Sequence, residues 1–250
     1  MLKVILILIV TVAFSLHTAA QPPKTAVNLY NNGKKLIGYG MYYEAIQSFK
    51  KAIALYKNYD SAYLVWSNLY TRMNKPDSAI LVLNRAIKQN PKMLIAYITL
   101  AQVYRDYKTN PDSARLYFSY ALKLDSSNKE LFYNIAWCYN AGMEYEKAIS
   151  YSVKALDRDI NYKPAYNEMA HAWHALKRYD EALVMFKKYA AVSTSDQPLF
   201  YSGMIYLELN QYDNLQKTID ELLKKGAKSP ADGLQKRWDI KKNQKPAQGS

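Results

Sequence analysis

Apolar positions recur along this chain in two interlocked patterns. In the first, a large residue is followed four positions later by a small one, and three later again by a large one. The six instances are Leu29-Gly33-Leu36, Tyr63-Ser67-Tyr70, Tyr97-Ala101-Tyr104, Phe132-Ala136-Tyr139, Tyr166-Ala170-Trp173 and Leu199-Gly203-Tyr206. In the second, small, large and small residues stand four and three apart in Ala45-Phe49-Ala52, Ala79-Leu83-Ala86 and Ala114-Phe118-Ala121, and the same positions hold Ala148-Ser152-Ala155, Ala182-Phe186-Tyr189 and Leu215-Ile219-Leu222 with some members exchanged. Such spacings put three residues on one face of an α-helix. The small member of each stripe lets a partner helix come close. The two patterns alternate, so the chain reads as paired helices, and no stretch alternates at the period of a strand.

The pairs repeat. From Ala45 through Ala79, Ala114, Ala148 and Ala182 to Leu215 the intervals are 34, 35, 34, 34 and 33 residues. A period of that size marks an array in which each unit buries its apolar face against its neighbours. The order of aromatic, small, Tyr, Ala, large apolar, Ala and Pro, fullest in Tyr63, Ser67, Tyr70, Ala79, Leu83, Ala86 and Pro91, resembles the tetratricopeptide repeat family. The resemblance covers residues 26–225 as six units: 26–59, 60–93, 94–128, 129–162, 163–196 and 197–225. It implies an all-α solenoid of helix-turn-helix units wound as a right-handed superhelix. The terminal Pro survives only as Pro91. Its equivalents are Lys57, Ser126, Ile160 and Thr194, so Asn, Asp and Ser must end the second helices there. The sixth unit has Leu215 and Leu222 in place of Ala, as terminal repeats are commonly atypical.

The first twenty residues follow another rule. Lys3 precedes the apolar run from Val4 to Leu16, and His17-Thr18-Ala19-Ala20 ends it. A positive start, a short hydrophobic stretch and a small-residue junction are those of a secretory signal peptide, here residues 1–20. The run is short for a membrane span; an uncleaved inner-membrane anchor is the alternative. The location expected is the periplasm. The lone Cys138 offers no intramolecular disulfide and reads as a small buried hydrophobe.

Charge changes the picture at one end only. Of the net charge of +13, residues 224–250 supply eight basic against two acidic side chains. This basic tail, 226–250, gives a second way of binding: peripheral contact with an anionic membrane, glycan or other acidic polymer. An exported chain is not expected to meet nucleic acid. Within the tail, Leu234 and Trp238 share one helical face, predicting a capping helix over 231–242 against Leu222 or Leu223.

Eleven of the 24 tyrosines occupy repeat positions that the fold already uses. The family resemblance implies that the first helix of each unit lines a concave groove for a protein or peptide ligand. Carried over unit by unit, the groove positions are Tyr30, Asn31 and Lys34; Asn68 and Arg72; Gln102 and Arg105; Tyr133, Asn134 and Trp137; Asn167 and His171; and Tyr201. Amides there can bond the main chain of an extended ligand, while aromatics supply contact area at low entropic cost. Trp137, central in the array, is the expected anchor. The basic residues by which chaperone-binding members grip a C-terminal carboxylate are replaced by Tyr30, Ile95 and Thr99.

No phosphate loop, nucleophile elbow or zinc spacing occurs, so no catalytic residue, cofactor or metal is assigned. Glu168, His171 and His174 come nearest to a metal motif, but steps of three residues fan them around one helix. The sequence thus describes an exported interaction scaffold, not an enzyme, suited to assembling an envelope, secretion or motility complex. Expressed in a Gram-negative host, the protein should appear in the osmotic-shock fraction about 2 kDa lighter than its precursor. Intact mass spectrometry showing Met1 retained, in the membrane pellet, would favour the anchor.

Overall fold

The computed structural model describes residues 21–191 and 193–244. The expected leader, residues 1–20, lies outside them. The described residues are helical, with no strand among them, and form thirteen helices. These are α1 (Lys24–Gly38), α2 (Tyr42–Leu55), α3 (Asp60–Arg72), α4 (Pro76–Gln89), α5 (Leu94–Asp106), α6 (Pro111–Leu124) and α7 (Lys129–Ala141). There follow α8 (Tyr145–Arg158), α9 (Lys163–Ala175), α10 (Tyr179–Ala190), α11 (Gln197–Glu208), α12 (Tyr212–Lys224) and α13 (Lys228–Gln244). None of them is long and apolar enough to cross a membrane. The chain divides into two compact units, up to Tyr63 and from Leu64 onward.

In the first unit α1 packs on α2 through a glycine. A Cβ on Gly33 would stand 2.6 Å from the Phe49 ring, so only hydrogen fits there. Asn32 donates to the Ser48 hydroxyl at 3.1 Å, tying the same pair.

In the second unit, from α4 onward, each helix packs on the next, and α7 also packs directly on α9. Ala79, Ala114, Ala148, Ala182 and Leu215 are wholly buried, and so are Phe118, Ser152 and Phe186 four residues further on in α6, α8 and α10. The stripes read from the sequence are therefore the helix-crossing contacts. At the first four of these crossings the Ala methyl group sets how near the two backbones come, and at the last Leu215 takes that place.

One turn joins the helices of every pair. Gly40, Asn74, Thr109, Met143, Lys177 and Asn210 all adopt positive φ, between 45° and 73°. Each stands five residues before the buried small residue of its second helix. The residue after each donates back to the first helix: Met41 to Leu36, Lys75 to Tyr70, Asn110 to Tyr104, Glu144 to Tyr139, Arg178 to Trp173 and Gln211 to Tyr206, at 2.8–3.0 Å. This is a left-handed helix stop that satisfies an orphan carbonyl. Glycine suits it best, yet five of the six residues are not glycine. That accounts for Met143 standing 75% exposed.

Between pairs the stop is different. Asn90, Asp125 and Asp159 follow α4, α6 and α8 in extended conformation. Each side chain accepts the N–H two residues on, from Lys92, Ser127 and Asn161 at 3.1, 3.2 and 2.9 Å. After α6 and α8 these Asx turns do the work of the missing prolines, while Asn90 acts beside the surviving Pro91.

The last helix closes the array. α13 begins at Lys228 and runs to Gln244, longer than the 231–242 segment expected. It lies on α11 and α12 where a seventh first helix would sit. A Cβ on Gly203 would come within 2.5 Å of Leu234, so this glycine admits the cap. Ala231 and Leu234 join Leu207, Leu215, Ile219 and Leu222 in one cluster, with Trp238 packed against it. The Trp238 ring stacks on Tyr212 at 5.7 Å, whereas Leu223 remains exposed. Lys241 donates to the carbonyls of Leu207 and Glu208, ending α11.

Ala114 has no accessible surface, so the Ala114→Leu variant must push α5 and α6 apart. It is expected to lose about 1–3 kcal/mol of stability in denaturant unfolding. An unchanged midpoint would contradict the crossing contact.

Candidate partner-binding groove

The groove positions lie on the first helix of each pair, on the face turned away from the second. In the first unit, Asn31 and Lys34 are exposed on α1, with the Lys34 ammonium 4.9 Å from the Tyr30 ring centre. Tyr30 itself turns inward, its ring 5.1 Å from Tyr59 and 5.8 Å from Phe49. It helps hold α1 down instead of standing free.

In the second unit Asn68, Arg72 and Gln102 are exposed. The remaining positions converge. Arg105 at the end of α5 reaches across to α7, where its Nη1 donates to the Asn134 Oδ1. The same guanidinium holds Asp106 at 2.6 and 3.1 Å and lies 5.7 Å from the Trp137 ring. Asn134 donates in turn to the Glu130 carbonyl at 2.7 Å and is buried. One helix further on the motif recurs. Asn140 of α7 donates to both the main-chain carbonyl and the Oε2 of Glu168 on α9, each at 2.9 Å.

These two rungs are equivalent in the repeat: Asn134 and Glu168 are 34 residues apart, Arg105 and Asn140 are 35. They correct the reading of the groove as an open, amide-rich lining. Asn134 belongs to the inter-repeat bonding, its buried amide oxygen taken by Arg105 and its nitrogen turned to the Glu130 carbonyl. Neither Asn140 nor Glu168 was expected here from the sequence, although their repeat spacing from Arg105 and Asn134 was visible. Glu168 is 6% exposed. Burial holds its carboxyl above the usual range, against the opposing pull of the Asn140 and Asn167 amides and the Arg105 charge. Tyr133 is raised as well, by burial first and then by the Glu168 charge. Its ring meets Tyr162 edge-on at 5.9 Å.

His171 sits against aromatic rings, 4.4 Å from Tyr201 and 5.3 Å from Phe186, both edge-on. Burial, with a smaller push from His174, lowers its pKa to about 4. His174 faces elsewhere, 3.3 Å from a Glu208 carboxylate oxygen. Glu168, His171 and His174 thus have three separate sets of neighbours. Tyr201 lies between Phe186 and Phe200. With Phe200, Pro230 and Arg237 it lines a cleft of about 580 Å³ between α11 and α13.

Half-buried and still open on this face are Arg105, Tyr133, Trp137 and Asn167. They form an aromatic and cationic patch above a floor whose polar groups are mostly bonded to each other. Such a patch offers rigid contact area with one guanidinium, the composition of binding hot spots. Cys138 lies beneath it, and burial pushes its thiol up to about 12. At ordinary pH it is a packing residue and not a nucleophile.

Comparison with known proteins gives the same architecture. Residues 36–105 match the family described as Tetratricopeptide repeat. Anaphase-promoting complex subunit 3 of Schizosaccharomyces pombe is 22% identical over 169 residues, 67% of this chain and 25% of that protein. The chain therefore spans a quarter of the length of that curated relative. Among solved structures, a tetratricopeptide repeat protein from Parabacteroides merdae superposes with a TM-score of 0.73 at 14% identity, covering 88% of each chain. PilW, a widely conserved type IV pilus biogenesis factor, gives 0.66 at 18% identity, over 80% of this chain and 93% of its own. At such identities the likeness is one of fold.

His171 makes a prediction about pH. Its folded pKa lies below the ordinary 6.5, so the folded state takes up that proton later than the unfolded one. The stability it permits is complete above pH 6.5 and is lost as the pH falls toward 4. Melting temperatures at pH 7 and 4.5 should differ less in the His171→Phe variant than in the parent.

Proposed function

We propose that this chain, whose residues 36–105 match the tetratricopeptide repeat family and whose later helix pairs continue the same fold, is a protein-interaction scaffold. A partner segment would lie along the first helices of the second unit. The observation that carries this reading is the half-open patch of Arg105, Tyr133 and Trp137 on α5 and α7. A tetratricopeptide array presents just such a face to peptides or partner helices, and Trp, Tyr and Arg dominate the energetics of binding. Trp137 is the anchor in this proposal, with Gln102, Asn167 and Tyr201 flanking it.

We propose further that the protein is exported by its first twenty residues and serves in assembly of an envelope machine. The leader-like run from Lys3 to Ala20 supports export. The fold likeness to PilW, a pilus biogenesis factor, is in keeping with an assembly role.

A second reading has one observation in its favour. Lys224, Lys225, Lys228, Lys236 and Arg237 are all exposed around α13, so this end could meet an anionic lipid or glycan surface. Part of the tail's charge is already engaged, since Lys241 caps α11 and Lys242 lies 3.8 Å from the Trp238 ring.

Affinity capture from an envelope extract of the native cells, with parent and Trp137→Ala baits, tests the first reading. The parent is expected to retain a partner that the variant loses by about tenfold or more. Retention should change little between 50 and 300 mM salt for an aromatic groove, and fall steeply if the basic end does the binding.

A further inference from the structure

Around Glu168 the groove floor contains more hydrogen-bond acceptors than donors. Asn140 turns its amide nitrogen to the Glu168 carbonyl and carboxylate, both at 2.9 Å. The Asn167 amide acts on the same carboxylate and opposes the upward push of burial. Asn140 cannot flip, because flipping would set its oxygen against the carboxylate. Its Oδ1 is buried and without a partner, and so is Asn167 Oδ1. Two orphan amide oxygens beside a carboxylate that is 6% exposed form a cluster with no cation of its own, the Asn140 N–H groups being turned to Glu168. A buried acceptor left unpaired costs stability.

The nearest cation is engaged elsewhere. Arg105 is committed to Asp106 and Asn134. His171 has its ring edge-on to Tyr201 and Phe186. The cluster sits on the same face as Trp137 and Tyr133, and half-buried Asn167 brings it to the groove surface.

We propose that Asn140, Glu168 and Asn167 form a subsite for a basic side chain of the partner, a lysine ammonium or an arginine guanidinium. The proposal rests on the groove reading above and adds the ligand's chemistry to it. A cation there would neutralise the buried carboxylate and supply donors to the two amide oxygens, while neighbouring ligand residues cover Trp137. Such a group has several N–H donors and no acceptor, matching the local imbalance. It also accounts for a buried carboxylate in a part of the groove where the nearest cation, Arg105, is already paired. The segment selected would thus be basic, opposite in sign to the acidic termini bound by carboxylate-gripping members of this fold.

Selection of random heptapeptides displayed on phage, against the full chain, tests this. The peptides retained by the parent are expected to share one Lys or Arg position. In the best peptide, replacing that residue by Met should weaken binding to the parent by about tenfold and to the Glu168→Gln variant hardly at all, the signature of a coupled pair. Should Glu168→Gln fail to fold, Asn167→Leu removes one acceptor and enters the same cycle. Peptides with no common basic residue, or a cycle without coupling, overturn the subsite. If those peptides still lose binding to Trp137→Ala, the groove reading stands without it. A selection that yields no binder to the parent overturns both.

Discussion

The methyl group at each helix crossing that carries an Ala is the contact on which the rest of this molecule depends. In the second unit Ala79, Ala114, Ala148 and Ala182 leave no surface exposed, and each allows two backbones to approach until the large residue four positions on fills the space. Helices at that spacing leave their other faces for the next pair, so stacking follows from the crossing and is not a separate requirement. The polar rungs, Arg105 to Asn134 and Asn140 to Glu168, span from one pair to the next at the distance the crossings set. Ser152 shows the tolerance of the scheme, being wholly buried where the other pairs carry a large apolar residue.

Most of the architecture was legible because it is written in periodicity. A stripe such as Ala114-Phe118-Ala121 has one helical interpretation, and its recurrence fixes the register. The left-handed turns were less legible. Gly40 announces such a turn, but Met143 and Lys177 do not, since side-chain chemistry there opposes the conformation that the two flanking helices impose. The stops at Asp125 and Asp159 were foreseen as Asx chemistry because nothing else could replace the missing prolines.

The groove was harder to read, for a physical reason. Position in a repeat tells which face a side chain leaves from, and says nothing of what it meets. Asn134 and Tyr30 leave from the expected face and are then taken up by Arg105 and by Tyr59. His171 leaves from it too and ends among aromatic rings. Burial of Glu168 was invisible because a glutamate on a helix is ordinarily solvated; only the neighbouring helix, with Asn140 at the matching rung, makes it a floor residue.

The helix α13 fills the seat on the sixth pair. A stack of like units is open-ended in principle, since the face that receives one pair could receive another from a second molecule. Here that seat is filled by a helix with a glycine beneath it, a tryptophan stacked on Tyr212 and a lysine fastened to the last carbonyls of α11. Its outward side carries Lys236 and Arg237, both exposed, so the surface offered at that seat is charged and not apolar. Head-to-tail growth into filaments, a hazard for any self-complementary repeat, is thereby blocked at this end.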